Sequence, residues 1–234
     1  TTHRGVLEAS LPLGLPIFIE KPLTTNLADA LALPASANEL VFLMHVWRYH
    51  PGVLLLAELE RTQVLGKELG LRSTRANWTS PRRDTDAVWN LAPHDLTIAK
   101  TILGHIPEAR AAAVELHQGV ARGMTALLGQ DPYLTFEVSN RYERKIRVIR
   151  LHCERGVAVL ENEKVDYVTI FHGDAGCLPE SVKEEKHPFS GPSPLVAELT
   201  EFLTYLNGGP KPRCTLSDGL EVVRTLHALE QLTT

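Results

Sequence analysis

At 234 residues, with 44% hydrophobic and 22% charged side chains, the chain is long enough to bury one large core or two modest ones. A formal charge of −4 removes any electrostatic argument for nucleic acid or an anionic membrane as partner. Cys153, Cys177 and Cys214 are too dispersed for a metal-ligand cluster or a disulfide framework, which points to a reducing cytoplasm. No apolar run approaches the roughly 18 residues of a membrane span, and the start carries no signal-peptide pattern.

In chain order, Arg4 to Leu15 reads as a short helix loosened by Pro12 and Gly14. Ile17-Phe18-Ile19-Glu20 is a β-branched apolar run, and Pro22 stops it at Lys21 by removing a backbone donor. Thr24-Thr25-Asn26 offers capping side chains to a helix over Leu27 to Leu33, and Leu40 to Met44 is a second apolar strand. Helix, strand, helix, strand is about half of a doubly wound nucleotide fold. His45 to Pro51 follows the second strand end as Glu20-Lys21 follows the first. In open α/β sheets that is where ligands bind.

Val53 to Leu65 reads as a helix, Gly66 to Trp78 as a strand and Thr79 to Thr85 as a polar loop. Apolar positions 91, 98, 99, 102 and 103 predict a helix ending at Gly104. Six β-like runs follow: Ala111–Leu116, Met124–Leu128, Tyr133–Ser139, Lys145–His152, Val157–Glu161 and Val165–Phe171. The alternation from Lys145 to Leu151 leaves one face wet or against another subunit. His172 to Pro194 reads as a long loop, and Pro194–Leu206 and Leu216–Leu232 as amphipathic helices. The expected architecture is an α/β partial Rossmann unit over residues 1–48, then an α+β domain over 49–234 with a large, mostly antiparallel open sheet.

Asn90 and His94 are four apart, so on a helix they share a face. Histidine is the usual proton carrier at neutral pH, and a polar side chain one turn earlier can steady its ring or grip a hydroxyl. The plain alternative is capping, with Asn90 at the helix start and Pro93 in the first turn. Trp47 and Arg48 can stack on and steady a planar or anionic ligand, or simply pack locally. Glu20-Lys21 is equally open between a site and a solvated pair. His3, His45 and His50 each read as structural or surface residues, Glu184-Glu185-Lys186 as a solvated face, and isolated Cys177 is assigned no chemistry.

The order of these pieces is more specific than any one of them. Thr-x-His, a strand, Glu20-Lys21-Pro22, a helix and a strand, Trp47-Arg48-Tyr49-x-Pro51, then Asn90-x-x-x-His94 resembles the glucose–fructose oxidoreductase/inositol dehydrogenase (Gfo/Idh/MocA) family. Val157 to Asn162, Pro194 to Leu203 and Asp218 to Val223 extend the resemblance over essentially the whole chain. It implies a dehydrogenase transferring hydride between NAD or NADP and a sugar or polyol hydroxyl, assembled as a homo-dimer or homo-tetramer through the sheet face. By that similarity His94 is the general acid/base and Lys21 lies beside the nicotinamide and the substrate hydroxyl. Glu20, Pro22, Arg48 and Trp47 border the cofactor, and Trp47 or Trp89 the substrate, with Asn90 standing where many members have aspartate. Asparagine can orient a ligand but cannot carry charge, so a relay through Asn90 is not expected. No Gly-x-Gly-x-x-Gly occurs in the sequence. The expectation is therefore a chain that starts inside its nucleotide-binding unit, binds dinucleotide poorly and is inactive alone. The second reading is a non-catalytic ligand-binding or assembly module derived from the same family.

Overall fold

The computed structural model describes residues 2–79 and 85–233. The predicted polar loop from Thr79 to Thr85 thus falls, between its end residues, outside the described residues.

The chain opens with α1 (His3–Ser10), β1 (Ile17–Glu20), α2 (Leu27–Leu31), α3 (Ala37–Leu40) and β2 (Val41–Met44). Asn26 caps α2 by accepting from Asp29 N at 3.1 Å. β1 and β2 form a two-stranded parallel sheet. A 3₁₀ turn, Val46–Tyr49, leads into α4 (Pro51–Thr62), β3 (Glu68–Ala76) and α5 (Ala87–Leu103). Gly104 ends α5 in the left-handed conformation, which glycine adopts without a Cβ penalty.

The strands that follow are β4 (Ala109–His117), β5 (Val120–Gly129), β6 (Tyr133–Ser139), β7 (Ile146–Cys153), β8 (Gly156–Leu160), β9 (Tyr167–His172) and β10 (Lys183–Pro188), with α6 (Pro194–Leu206) and α7 (Leu216–Gln231) last. Together with β3 they build an eight-stranded sheet in the order β10-β9-β8-β7-β3-β6-β5-β4, antiparallel except for the β3–β6 pair. This is the expected fold class, an α/β unit followed by a large, mostly antiparallel open sheet.

The long loop expected between His172 and Pro194 is not all loop, because it contains β10. That strand reads Lys-Glu-Glu-Lys-His-Pro, lies mostly exposed on the sheet edge and carries no apolar face for a periodicity to reveal. Glu184-Glu185-Lys186 is therefore solvated, as expected, but on a strand.

Period-2 alternation sets the two faces of the large sheet. Leu71, Ser73 and Arg75 of β3 are buried with their partners Leu151 and Ile149 of β7, and Arg147, opposite Arg75, is half-buried. Leu134, Phe136 and Val138 of β6 join Leu96, Ala99 and Ile102 of α5 in one buried core. The last two helices return to the first sheet. Leu43 N donates to Cys214 O at 3.0 Å, Phe18 stacks on Phe202 at 4.8 Å, and Gly219 of α7 lies against Leu43.

Candidate active site

Parallel pairing brings the first two site residues together. β1 and β2 run in register from Ile17 with Val41 to Glu20 with Met44, so Lys21 and His45 leave the two strands side by side. His3 Nδ1 lies 2.7 Å from the Pro22 carbonyl, which can only accept, so this nitrogen carries the proton and ties the turn after Lys21 to α1.

Lys21 then reaches across to α5. Its Nζ donates to the Asn90 carbonyl oxygen at 2.6 Å and to Asn90 Oδ1 at 3.2 Å. The helix is capped by Asp86, whose Oδ1 accepts from Trp89 N at 2.9 Å, so Asn90 and Pro93 both lie inside it. The capping alternative for Asn90 is thereby corrected. Pro93 offers no N–H to the Trp89 carbonyl four residues back and crowds that turn; the neighbouring Asn90 carbonyl is the one that receives the lysine.

His94, one turn after Asn90, is half-buried, and its Nδ1 is buried with no partner among the described residues. Burial, and after it the charges of Lys21 and Arg75, with His45 and Arg147, hold its pKa well below the ordinary histidine value. The imidazole is neutral at physiological pH and free to take a proton.

Around His94 the polar groups are locked. Arg75 Nε donates to Asp95 Oδ2 at 2.9 Å in a fully buried ion pair, and the guanidinium lies 4.3 Å from the centroid of the Trp47 ring. Trp47 also stacks on His50 at 5.1 Å, and His50 Nδ1 accepts from Gly52 N to cap α4. Trp47 and His50 line an apolar cavity of about 290 Å³ with Pro194 and Leu195. Arg147, opposite Arg75 in the β3–β7 register, donates to Ala76 O at 2.9 Å and Asn77 Oδ1 at 3.0 Å at the end of β3.

Two of the residues singled out in the sequence are committed elsewhere. Arg48 donates to Arg213 O at 2.9 Å and pairs with Asp218 of α7 at 3.3 Å; Asp218 in turn receives Lys100 at 2.8 Å. Trp89 is buried, with its indole N–H donated to Glu230 Oε1 at 2.7 Å. Glu20, the last residue of β1, is exposed. Sequence reasoning gave Arg75, Asp95 and Arg147 no role. Asp95 was legible as the neighbour of His94, but two arginines in alternating strands look like wet-face residues until the register places them inside.

A second buried polar group lies next to this one. His45 is fully buried with neither ring nitrogen partnered, and burial, with Arg48 adding, lowers its pKa to about 3. Glu198 of α6 is also buried without a hydrogen-bond partner for its carboxylate among the described residues, and burial raises its pKa to about 8. Both are neutral at pH 7.

No protein-family model matches the sequence. A UDP-N-acetylglucosamine 3-dehydrogenase of Acidithiobacillus ferrooxidans is 29% identical over 245 aligned residues, spanning 99% of this chain and 74% of the relative. A solved structure of that dehydrogenase superposes with a TM-score of 0.81 at 22% identity, covering 99% of this chain and 75% of that one. An NAD binding oxidoreductase from Klebsiella pneumoniae gives 0.82 at 15% identity over 99% and 74% of the two chains. The aldose-aldose oxidoreductase from Caulobacter crescentus, complexed with glycerol, gives 0.82 at 15% over 99% and 73%. The chain has the fold of these oxidoreductases.

Proposed function

We propose that the chain carries the proton-handling half of a nicotinamide-dependent oxidoreductase site acting on a hydroxyl of a sugar or polyol. The observation that carries this reading is the meeting of Lys21, Asn90 and a neutral His94 where two parallel strands end. A named relative that is a UDP-N-acetylglucosamine 3-dehydrogenase supports a sugar as the substrate class.

The residues fit a nicotinamide. A cationic Nζ and an unprotonated imidazole with an unpartnered buried nitrogen face one spot at the strand ends. In this reading Glu20, Lys21, Pro22, Trp47 and Arg48 border the cofactor, Trp89 is a boundary of the substrate side, residues 1–48 belong to the cofactor-binding unit, and residues 49–234 bind substrate and assemble subunits through the sheet face. The cofactor, when bound, supplies the hydride acceptor. His94 removes the hydroxyl proton as the carbonyl forms. Lys21 places its charge where negative charge grows on the substrate oxygen, and Asn90 holds Nζ in position through two acceptors.

The test is turnover with NAD or NADP and a panel of nucleotide-linked and free sugars, in a protein that carries this chain together with a dinucleotide-binding Gly-rich loop. Lys21→Met and His94→Asn should each lower kcat/KM by about 10² to 10⁴ with unchanged circular dichroism. In the wild type, the acid limb of kcat/KM should lie below pH 6.5, because a base with a depressed pKa stays unprotonated to lower pH. Full turnover in both variants would refute the assignment.

A further inference from the structure

The end of the large sheet that carries Arg75 and Arg147 also carries a second cavity, of about 330 Å³. β3 and β6 run parallel, so Trp78 and Asn140, which follow them, leave the sheet on the same side. Thr79 N donates to Asn140 O at 3.1 Å and Asn140 N to Arg122 O at 2.9 Å, which fixes the walls. Trp78, His117, Arg122, Asn140 and Arg141 line it.

Three features of this cavity have no account in the fold. Trp78 is 70% exposed, although the residue carries a large apolar ring. Asn140 is 8% exposed, and its Oδ1 is buried without a partner among the described residues. Such an acceptor costs stability unless something donates to it. The Arg122 guanidinium has no hydrogen-bond or ionic partner among the described residues, while Arg141 pairs with Glu115 at 3.1 Å in an exposed bridge that a ligand anion can displace. An exposed ring, an orphaned amide acceptor and two guanidinium groups are what a nucleoside diphosphate requires: a stacking face, an acceptor for a base N–H, and bidentate donors for phosphate oxygens.

The cavity also connects with the proposed reaction site. Arg147 lies opposite Arg75 in the β3–β7 register, Arg75 is paired with Asp95, the residue after His94, and Arg147 donates to Asn77, whose next residue is Trp78. We propose that this cavity is the subsite for the nucleoside diphosphate arm of a nucleotide-linked sugar, with Trp78 on the base, Asn140 at the base edge and Arg122 and Arg141 on the phosphates. The proposal rests on the reading of Lys21 and His94 as a sugar-oxidising pair, and it names the substrate class of that site.

Calorimetric titration of the chain with UDP, uridine and inorganic pyrophosphate tests it without any turnover. UDP should bind at one site, more tightly than either fragment. Trp78→Ala should weaken UDP by about tenfold or more while leaving pyrophosphate unchanged. Arg122→Ala should weaken both UDP and pyrophosphate. Lys21→Met should bind UDP as the wild type does. Absence of UDP binding, or equal binding by wild type, Trp78→Ala and Arg122→Ala, overturns the subsite. Pyrophosphate binding as tight as UDP reduces it to a general anion site and overturns it equally. If Lys21→Met keeps full turnover while the UDP pattern holds, the oxidoreductase reading falls and the nucleotide subsite stands.

Discussion

Two buried polar groups lie close together and are treated in opposite ways. Around His94, charge is retained and paired: Arg75 with Asp95, Lys21 with Asn90, Arg147 with Ala76 and Asn77. At His45 and Glu198, no side-chain partner is supplied among the described residues, and burial pushes both toward the neutral form. Pairing holds the first group in a fixed geometry, as a site for proton transfer needs. Neutralisation lets the second fill space between β2 and α6 without an ion to satisfy. The difference teaches that burial alone does not distinguish the two groups; what does is whether hydrogen bonds and ion pairs hold the charges around the histidine.

The largest break in this comparison comes from Asp95→Ala. It leaves Arg75 as an uncompensated buried cation, which costs about 3–5 kcal/mol. For a chain of this length the melting temperature should fall by about 10 °C or more. The double variant Arg75→Met/Asp95→Leu should recover much of that loss, because it removes both charges together. A double variant as unstable as Asp95→Ala would mean that the pair acts through shape and not through charge.

Next in size is the pH dependence of stability to which His45 and His94 contribute. Both have folded-state pKa values below the unfolded value of 6.5, so the unfolded chain takes up protons that the folded chain refuses. Stability is present above pH 6.5 and is lost as pH falls below it, at up to about 1.4 kcal/mol per pH unit for each histidine. Urea midpoints between pH 7 and 5 measure it. His45→Leu should remove the His45 share of that slope, while His94 keeps its own, together with His50 and His152, whose pKa values burial also lowers. An unchanged slope would place the proton uptake elsewhere.

How far the sequence could reach follows from what each signal depends on. β1 and β6 were legible to the residue, because Ile17–Glu20 ends at a proline and Tyr133–Ser139 lies between turn residues. β10 was hidden, since an edge strand of charged residues has no apolar period. Lys21, Asn90 and His94 could be named from spacing and family resemblance, and their meeting depends on a contact between residues 69 apart. Arg75 and Arg147 needed the β3–β7 register, which no local pattern encodes. The cavity at Trp78 gathers residues in or just after four different strands, none of them notable alone.

The effect at Glu198 has the opposite sign to the histidines. Its folded-state pKa, about 8, is raised above the unfolded value of 4.5. Its contribution is fully present below pH 4.5 and is lost as pH rises toward 8, so within that window it offsets one of the two histidines. Glu198→Gln keeps the shape and removes the titration. The variant should match the wild type near pH 4.5 and gain on it with rising pH, at most about 1.4 kcal/mol per pH unit and levelling off near pH 8. The net slope between pH 5 and 6.5 should steepen at the same time, since the two histidines then act unopposed. A Gln variant that loses stability at pH 8 would show that the carboxylate is charged and paired in the folded chain, and the contrast between a paired and a neutralised group would no longer hold.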